Sequence, residues 1–330
     1  MAPTRWGIAG CGKISSDFVN AVQHLNDPDL VVVAVAARSV DSAQKFAEKF
    51  NVKKFYGSYQ ALAEDPEVDV VYIGVINTTH LSVGQAILAG GKNVLMEKPL
   101  AVNLQQTQQL IAEAKACNVF FMEALWSRFI PTYTEVRARL QRQEIGQVMH
   151  AFVSFGVPIA DVPRLKEKEL GGGCVIDIGV YAINFLLWVF DEEKPIEIKT
   201  MGTLNDQGLE MEVTAILKFS NNRFGTIVLS TSALLPNEAH VSGTKGTITL
   251  RSPFWAPPHL TSPSGNFDCP LDPSERKYEF GNSQFLKYEA QHIASCLEKG
   301  VKESPVMPHS SSLLLAEVMQ DIRQQLGSWF

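Results

Sequence analysis

The sequence predicts an α/β protein: a doubly wound, mostly parallel sheet first, then a second region built on a sheet with one covered face. Three observations carry this. Apolar runs alternate with helical stripes through the first third of the chain. A glycine-rich turn, Gly10-Cys11-Gly12, sits at the first strand-to-helix junction. Later apolar stretches gather with few helices between them and show a two-residue alternation.

Taken in order, residues 5–9 form a short apolar strand that runs straight into the glycine turn. From Ile14 the apolar positions Ile14, Phe18, Val22 and Leu25 recur at helical spacing. Residues 30–37 are an unbroken Val/Ala run, the pattern of a parallel strand covered on both faces. Residues 41–50 are helical, with Ala43, Phe46, Ala47 and Phe50 along one side. A third buried strand follows at 68–75, then a helix at 80–89 stopped by Gly90-Gly91. Residues 93–96 are a strand, Asn103 caps a helix to about Ala116, and 119–122 is the last strand of the series.

The second half is read as strands at 148–156, 197–204, 212–219, 223–231 and 247–250. Val213, Ala215, Leu217 and Phe219 alternate with mostly polar neighbours, as on a half-covered sheet. Asn221-Asn222 suits a tight hairpin that needs positive φ. A long helix at 174–190 follows three glycines, and helices at 283–297 and 311–326 close the chain, the last with the stripe Leu314, Val318, Ile322, Leu326. The boundary between the two regions falls near residue 125. The Pro/Ser-rich stretch 253–273 reads as a loop over the cleft.

Composition narrows the class. At roughly 150 residues per domain, 330 residues make two domains. With 29 basic and 35 acidic side chains the net charge is −6, which argues against a nucleic-acid partner needing a basic stripe. The apolar runs 31–37 and 182–190 fall short of the ~20 residues of a membrane span. The N-terminus enters a strand pattern without a signal-peptide apolar region. Five scattered cysteines without a CxxC pair fit reduced thiols in a cytoplasmic protein, not a disulfide scaffold. Seven histidines form no HxxxH pair, so no metal site is expected. The expectation is a two-domain cytoplasmic enzyme.

The turn suggests the cofactor. In Gly10-x-Gly12-x-x-Ser15 the glycines let the backbone approach a pyrophosphate, which would rest on the helix N-terminus at Lys13 and Ile14. A bare structural turn is the plain alternative. At the end of the second strand, where an NAD enzyme places an acid for the ribose hydroxyls, the chain has Ala37-Arg38-Ser39. Arg38 can hold a 2′-phosphate and Ser39 can add a hydrogen bond, so NADP is favoured over NAD.

Three stretches supply chemistry. Asn77-Thr78-Thr79-His80 and Glu97-Lys98-Pro99 follow strands at the end where doubly wound sheets bind ligands, which makes Asn77, His80, Glu97 and Lys98 cofactor candidates. The third is Gly171-Gly172-Gly173-x-x-x-Asp177-x-Gly179-x-Tyr181, with Asp177 and Tyr181 four apart on one helical face. A lysine ammonium beside a phenol favours phenolate, so Tyr181 can take a hydroxyl proton while hydride leaves for a nicotinamide. Asp177 would orient Lys98 or bind a neighbouring hydroxyl. Singly, Lys98 reads as a surface lysine and Tyr181 as a core residue; the set carries the reading.

On these motifs the sequence resembles the Gfo/Idh/MocA oxidoreductase family over essentially its whole length. The resemblance implies a Rossmann domain over 1–125 and an α/β domain over 126–330 with a large open-faced, predominantly antiparallel sheet. It also implies that residues near the C-terminus pack back on the first domain. Many members place His at the position of Tyr181 and Asp at that of Asn184, so this chain is similar to a tyrosine branch. The stretches Glu123-Ala124-Leu125-Trp126-Ser127-Arg128-Phe129, Ser242-Gly243-Thr244-Lys245-Gly246 and Glu303-Ser304-Pro305-Val306 look like that branch, as does Ala36-Ala37-Arg38. The branch implies Lys98 and Tyr181 as catalytic pair and Trp126, Phe155, Asp177, Trp255 and Phe280 lining a pocket. It implies NADP-dependent oxidation of an aromatic trans-dihydrodiol or of D-xylose, and a homodimer through the second domain's sheet. The rivals are action on another sugar or polyol, and a regulatory cofactor sensor in which the Lys98/Asp177/Tyr181 set would have decayed.

Overall fold

The computed structural model describes residues 3–328. Each apolar run of the first third becomes a strand followed by a helix: β1 (Thr4–Ala9), α1 (Lys13–His24), β2 (Leu30–Ala36), α2 (Val40–Phe50), β3 (Lys54–Tyr56), α3 (Tyr59–Glu64), β4 (Val70–Ile73), α4 (His80–Ala89), β5 (Asn93–Glu97), α5 (Leu104–Ala116) and β6 (Phe121–Ala124). The strands form one parallel sheet in the order β3-β2-β1-β4-β5-β6. Strand order reverses at β1, the switch point at which such sheets open a crevice for a ligand. β4 is buried at every residue, which is why its sequence does not alternate. Phe18 of α1 stacks on Tyr72 of β4 with centroids 4.0 Å apart and meets Trp6 of β1 edge-on at 5.0 Å, fixing α1 against the sheet.

The chain continues through α6 (Pro131–Gln141), β7 (Val148–Gly156), α7 (Pro163–Lys166) and α8 (Val180–Val189). Next come β8 (Glu197–Leu204), β9 (Glu210–Phe219), β10 (Arg223–Ser230), β11 (Ala239–Gly243), β12 (Gly246–Leu250), β13 (His259–Thr261) and β14 (Phe267–Asp268). Helices α9 (Leu286–Glu298) and α10 (His309–Leu326) end it. The eight-stranded sheet has the order β14-β13-β12-β11-β7-β10-β9-β8, antiparallel except where β10 pairs with β7. Its inner face carries Val153, Val213, Ala215, Leu217 and Ile227, all buried. α8 lies on that face, where a Cβ on Gly225 would stand 2.7 Å from Leu186 Cδ1. Asn221 and Asn222 take φ of 55° each in the β9–β10 hairpin, as their residue type suggests.

The chain divides into two compact units. One holds the residues through Ala101, Gln105–Phe129 and Leu271–Ser312; the other holds Val102–Leu104, Ile130–Pro270 and the residues from Leu313 on.

Several expectations need correction. The stretch 253–273 is not all loop: it contains β13 and β14, which extend the sheet by two residue pairs each, too few for alternation to show. β3, α3, α6 and β11 escaped the sequence reading because they are short or only weakly amphipathic. The helix read at 174–190 opens as a π turn, Val175–Gly179, before α8 begins. The helical stretch Lys168–Val189 is, at 22 residues, long and apolar enough to cross a membrane by length and composition, but 94% of its apolar window is buried inside the protein. That is the profile of a core helix.

A buried ion pair ties α10 to the second sheet: Arg323 Nε donates to Glu210 Oε1 at 2.6 Å and its Nη1 donates to the Val102 carbonyl at 3.1 Å. Both side chains are almost wholly buried. Arg323→Met leaves the Glu210 charge in the interior without its main counter-charge. The expected cost is about 3–5 kcal/mol of unfolding free energy, measured as a lowered urea midpoint. The double variant with Glu210→Gln should regain much of the loss, and a single variant of wild-type stability would contradict the assignment.

Candidate active site

The sequence of the first unit builds a phosphate cradle at the carboxyl end of β1. Gly10 has φ of +100°, and a Cβ there would lie 2.6 Å from the Gly74 carbonyl oxygen, so the turn admits only glycine. The Gly10 amide donates to Ala36 at 2.9 Å and the Gly74 amide to Ala9 at 2.9 Å, locking the turn between β2 and β4. Gly12 differs: a Cβ there would meet only Gly74 O, at 3.8 Å. Nothing in the protein demands a glycine at that position; the open ground above it suits the close approach of a ligand backbone. Among the described residues no side chain caps the N-terminus of α1, which leaves its first amides, around Lys13 and Ile14, available to an anion. These residues fit the phosphates of a dinucleotide.

Arg38 and Ser39 follow β2 and are exposed. Ser39 Oγ accepts the Ser42 amide at 3.3 Å and caps α2, which leaves its own O–H to donate. Asn77 lies in a single 3-10 turn, Asn77–Thr79, after β4. His80 is fully buried, with Nδ1 2.9 Å from the Pro99 carbonyl and Nε2 3.2 Å from the Val75 carbonyl. Burial holds its pKa below the ordinary histidine value, so it works as a neutral clamp joining the loops after β4 and β5.

Lys98 is half-buried, and acids fix the backbone on both sides of it. Glu97 Oε2 accepts the Lys98 amide at 3.1 Å, and its Oε1 accepts a hydrogen bond from the Tyr72 hydroxyl at 2.6 Å. Glu123 Oε1 accepts the Leu100 amide at 3.0 Å. Glu289 of α9 is fully buried, and neither of its oxygens finds a hydrogen-bond partner among the described residues. Burial raises the Glu97 carboxyl, pushes Glu123 up to about 7, and lifts Glu289 well above the carboxylate range. Glu123 stands in the sequence reading only as the start of a family-like stretch and with no role, though a lone acid in the apolar run Phe120-Phe121-Met122-Glu123-Ala124-Leu125 was a readable signal. Trp126 follows β6 in a 3-10 turn and is buried, whereas Phe280 is 43% exposed.

The second unit brings Phe155, Tyr181 and Trp255 together. Phe155, on the inner face of β7, stacks on Trp255 with centroids 4.0 Å apart and planes 9° from parallel, and lies 6.2 Å from Tyr181. Tyr181 stands in the first turn of α8 and is half-buried. Asp177 sits inside the π turn, buried, in an ion pair with Arg164 of α7. Nothing in the spacing of the sequence pointed to Arg164. Gly173 has φ of +113°, and a Cβ there would fall 2.0 Å from Glu210 Oε2, so the triple glycine lets the helix start approach β9.

The parallel sheet with its glycine turn is the architecture of a dinucleotide-binding domain, here followed by a second unit with a half-covered sheet. The profile "Oxidoreductase family, NAD-binding Rossmann fold" matches residues 4–125, and the GFO/IDH/MocA C-terminal domain matches residues 133–249. The chain belongs to the Gfo/Idh/MocA oxidoreductase family. Among curated relatives, trans-1,2-dihydrobenzene-1,2-diol dehydrogenase of Xenopus tropicalis is 44% identical over 326 residues, covering 98% of each chain. The human protein of that name is 40% identical over 326 residues, covering 99% of this chain and 98% of its own. Among solved structures, the 3-ketoreductase KijD10 of Actinomadura kijaniata, complexed with NADP and TDP-benzene, has a TM-score of 0.81 at 24% identity and covers 98% of both chains. That last likeness shows the fold.

The buried acid below Lys98 makes a pH-dependent prediction. The folded Glu123 carboxyl titrates at about 7 against an ordinary 4.5, so between these values the folded protein holds a proton that the unfolded chain has released. Its contribution is fully present below the lower value and is lost as pH rises through the upper one. Glu123→Gln keeps the acceptor for Leu100, and its stability relative to wild type should improve by on the order of 3 kcal/mol above neutral pH, with no gain under acid conditions. Urea titrations across pH read this, and a difference independent of pH refutes it.

Proposed function

We propose that the protein is an NADP-dependent dehydrogenase that oxidises trans-dihydrodiols of aromatic hydrocarbons to catechols, or D-xylose at its anomeric carbon to the lactone, or both. The observation that carries the reading is the stacked Phe155–Trp255 pair 6.2 Å from Tyr181, measured from the Phe155 ring. This is an aromatic wall beside a phenol, suited to a reduced arene ring or the flat face of a pyranose. The names of the full-length relatives at 40–44% identity support the dihydrodiol.

The bound nicotinamide would supply the hydride acceptor at its C4. On the protein side, Tyr181 takes the proton of the reacting hydroxyl while its carbon gives up hydride, and the ketone formed from a dihydrodiol tautomerises to the catechol. Lys98 supplies positive charge that favours the phenolate. Asp177, paired with Arg164, is an anionic acceptor for the neighbouring hydroxyl. Arg38 and the Ser39 O–H would hold the 2′-phosphate that separates NADP from NAD.

Tyr181→Phe is expected to lower kcat by about 100-fold or more while NADP still binds. Absorbance at 340 nm with benzene dihydrodiol and with D-xylose reads it, and retention of most of the activity sinks the role. The same assay compares kcat/KM for NADP and NAD, where equal values remove the part given to Arg38. Tight NADP binding without turnover on any diol or polyol would favour a cofactor sensor.

We also propose a homodimer formed through the outer face of the eight-stranded sheet. The strand register places Met201, Ile216, Phe152, Phe224 and Val228 on that face, with Met201 81% and Ile216 46% exposed. Sedimentation at low concentration should give the dimer mass, and Ile216→Lys should give monomer. A wild-type monomer at every concentration overturns the assignment.

A further inference from the structure

Residues 271–282 form an exposed strap without regular secondary structure, and α1 grips it along its length. Asp17, Asn20 and Gln23 recur every three residues and share one face of the helix. Asp17 Oδ1 accepts the Glu279 amide at 2.7 Å and Oδ2 accepts the Phe280 amide at 2.9 Å. Asn20 Nδ2 donates to the Lys277 carbonyl at 2.9 Å, and Arg276 donates to Gln23 Oε1 at 3.0 Å. At the start of the strap, Gln284 receives the Asp272 amide at 2.7 Å and returns a bond to the Asp272 carbonyl at 2.8 Å.

Asp17 is the unusual member. It is fully buried, one turn beyond the phosphate cradle on the same helix. Burial raises its carboxyl above the ordinary range, and the two strap amides oppose that rise. Detached from the strap, the carboxylate would lose its two backbone donors, so strap and acid require each other. The backbone it fixes carries Phe280, whose ring remains 43% exposed.

We propose that Asp17 is a positioning residue for the substrate: it sets the Phe280 ring, so the helix that seats the cofactor phosphates also aims an aromatic contact for an arene dihydrodiol. This rests on the reading of Phe280 as a substrate contact. An exposed phenyl ring offers more to a cyclohexadiene ring than to a sugar, so the effect should be larger for the dihydrodiol than for D-xylose.

The test uses Asp17→Asn, which keeps the shape but turns one acceptor into a donor, beside Phe280→Ala and the double variant. Asp17→Asn should raise the KM for benzene dihydrodiol by about tenfold, with kcat and the Kd for NADP changed less than about twofold. The double variant should be no worse than Phe280→Ala alone, because both act through one ring. Hydrogen exchange of the peptide spanning 275–283 should show the Glu279 and Phe280 amides losing protection. Freed amides with an unchanged KM, while Phe280→Ala raises KM, overturn the positioning role and leave the proposed function intact. A Phe280→Ala variant with wild-type KM on every substrate overturns the Phe280 assignment and this proposal with it.

Discussion

The carbonyl of Gly74, at the end of β4, stands against the turn after β1 with no space for a Cβ on Gly10. Two neighbouring parallel strands are thereby forced to finish side by side with their backbones in contact, held by the Gly74 amide bonded to Ala9. α1 can then start directly over the crevice, its first amides available to an anion and Phe18 stacked on Tyr72 below. The loops after β2, β4 and β5 take their places around that point. A β-carbon at this contact would move the helix that begins there, and the strap that lies along it.

A second constraint lies beneath Lys98. Glu97 and Glu123 hold the loop by its amides from within the protein interior, and Glu289 sits buried without a partner among the described residues. Uncharged side chains of similar shape would make a more stable core. What the acids provide is a fixed backbone for a lysine whose side chain stays half-buried. Stability is given up for a rigid loop, a trade familiar at functional sites.

The parts of the fold that were legible are those where one physical signal acts alone. β4 is buried on both faces and reads as an unbroken apolar run; β9 is buried on one face and alternates. The Asn221-Asn222 hairpin was visible because positive φ selects the residue type. β13 and β14 were not, since two paired residues leave no period to detect. The candidate site divides the same way. Gly10 is legible because backbone geometry restricts it, Gly12 because it completes the glycine turn at a strand-to-helix junction, and the aromatic group Phe155, Tyr181 and Trp255 was reachable through family likeness. Arg164 and Asp17 were invisible because their roles depend on partners 13 and 262–263 residues away, which no local pattern encodes.

The π turn at Val175–Gly179 sets how two side chains face one another. A π turn is an α-helix carrying one surplus residue, and each residue rotates a helix by about 100°. Asp177 lies within the π turn and Tyr181 just beyond it, so their relative bearing depends on the residue count of the turn as well as on residue type. Deleting one residue between them would leave every side chain chemically intact and turn one against the other by more than a quarter circle. Residue count here matters to the geometry as much as residue identity, and a chain differing by one position in this segment would differ in geometry before it differed in chemistry.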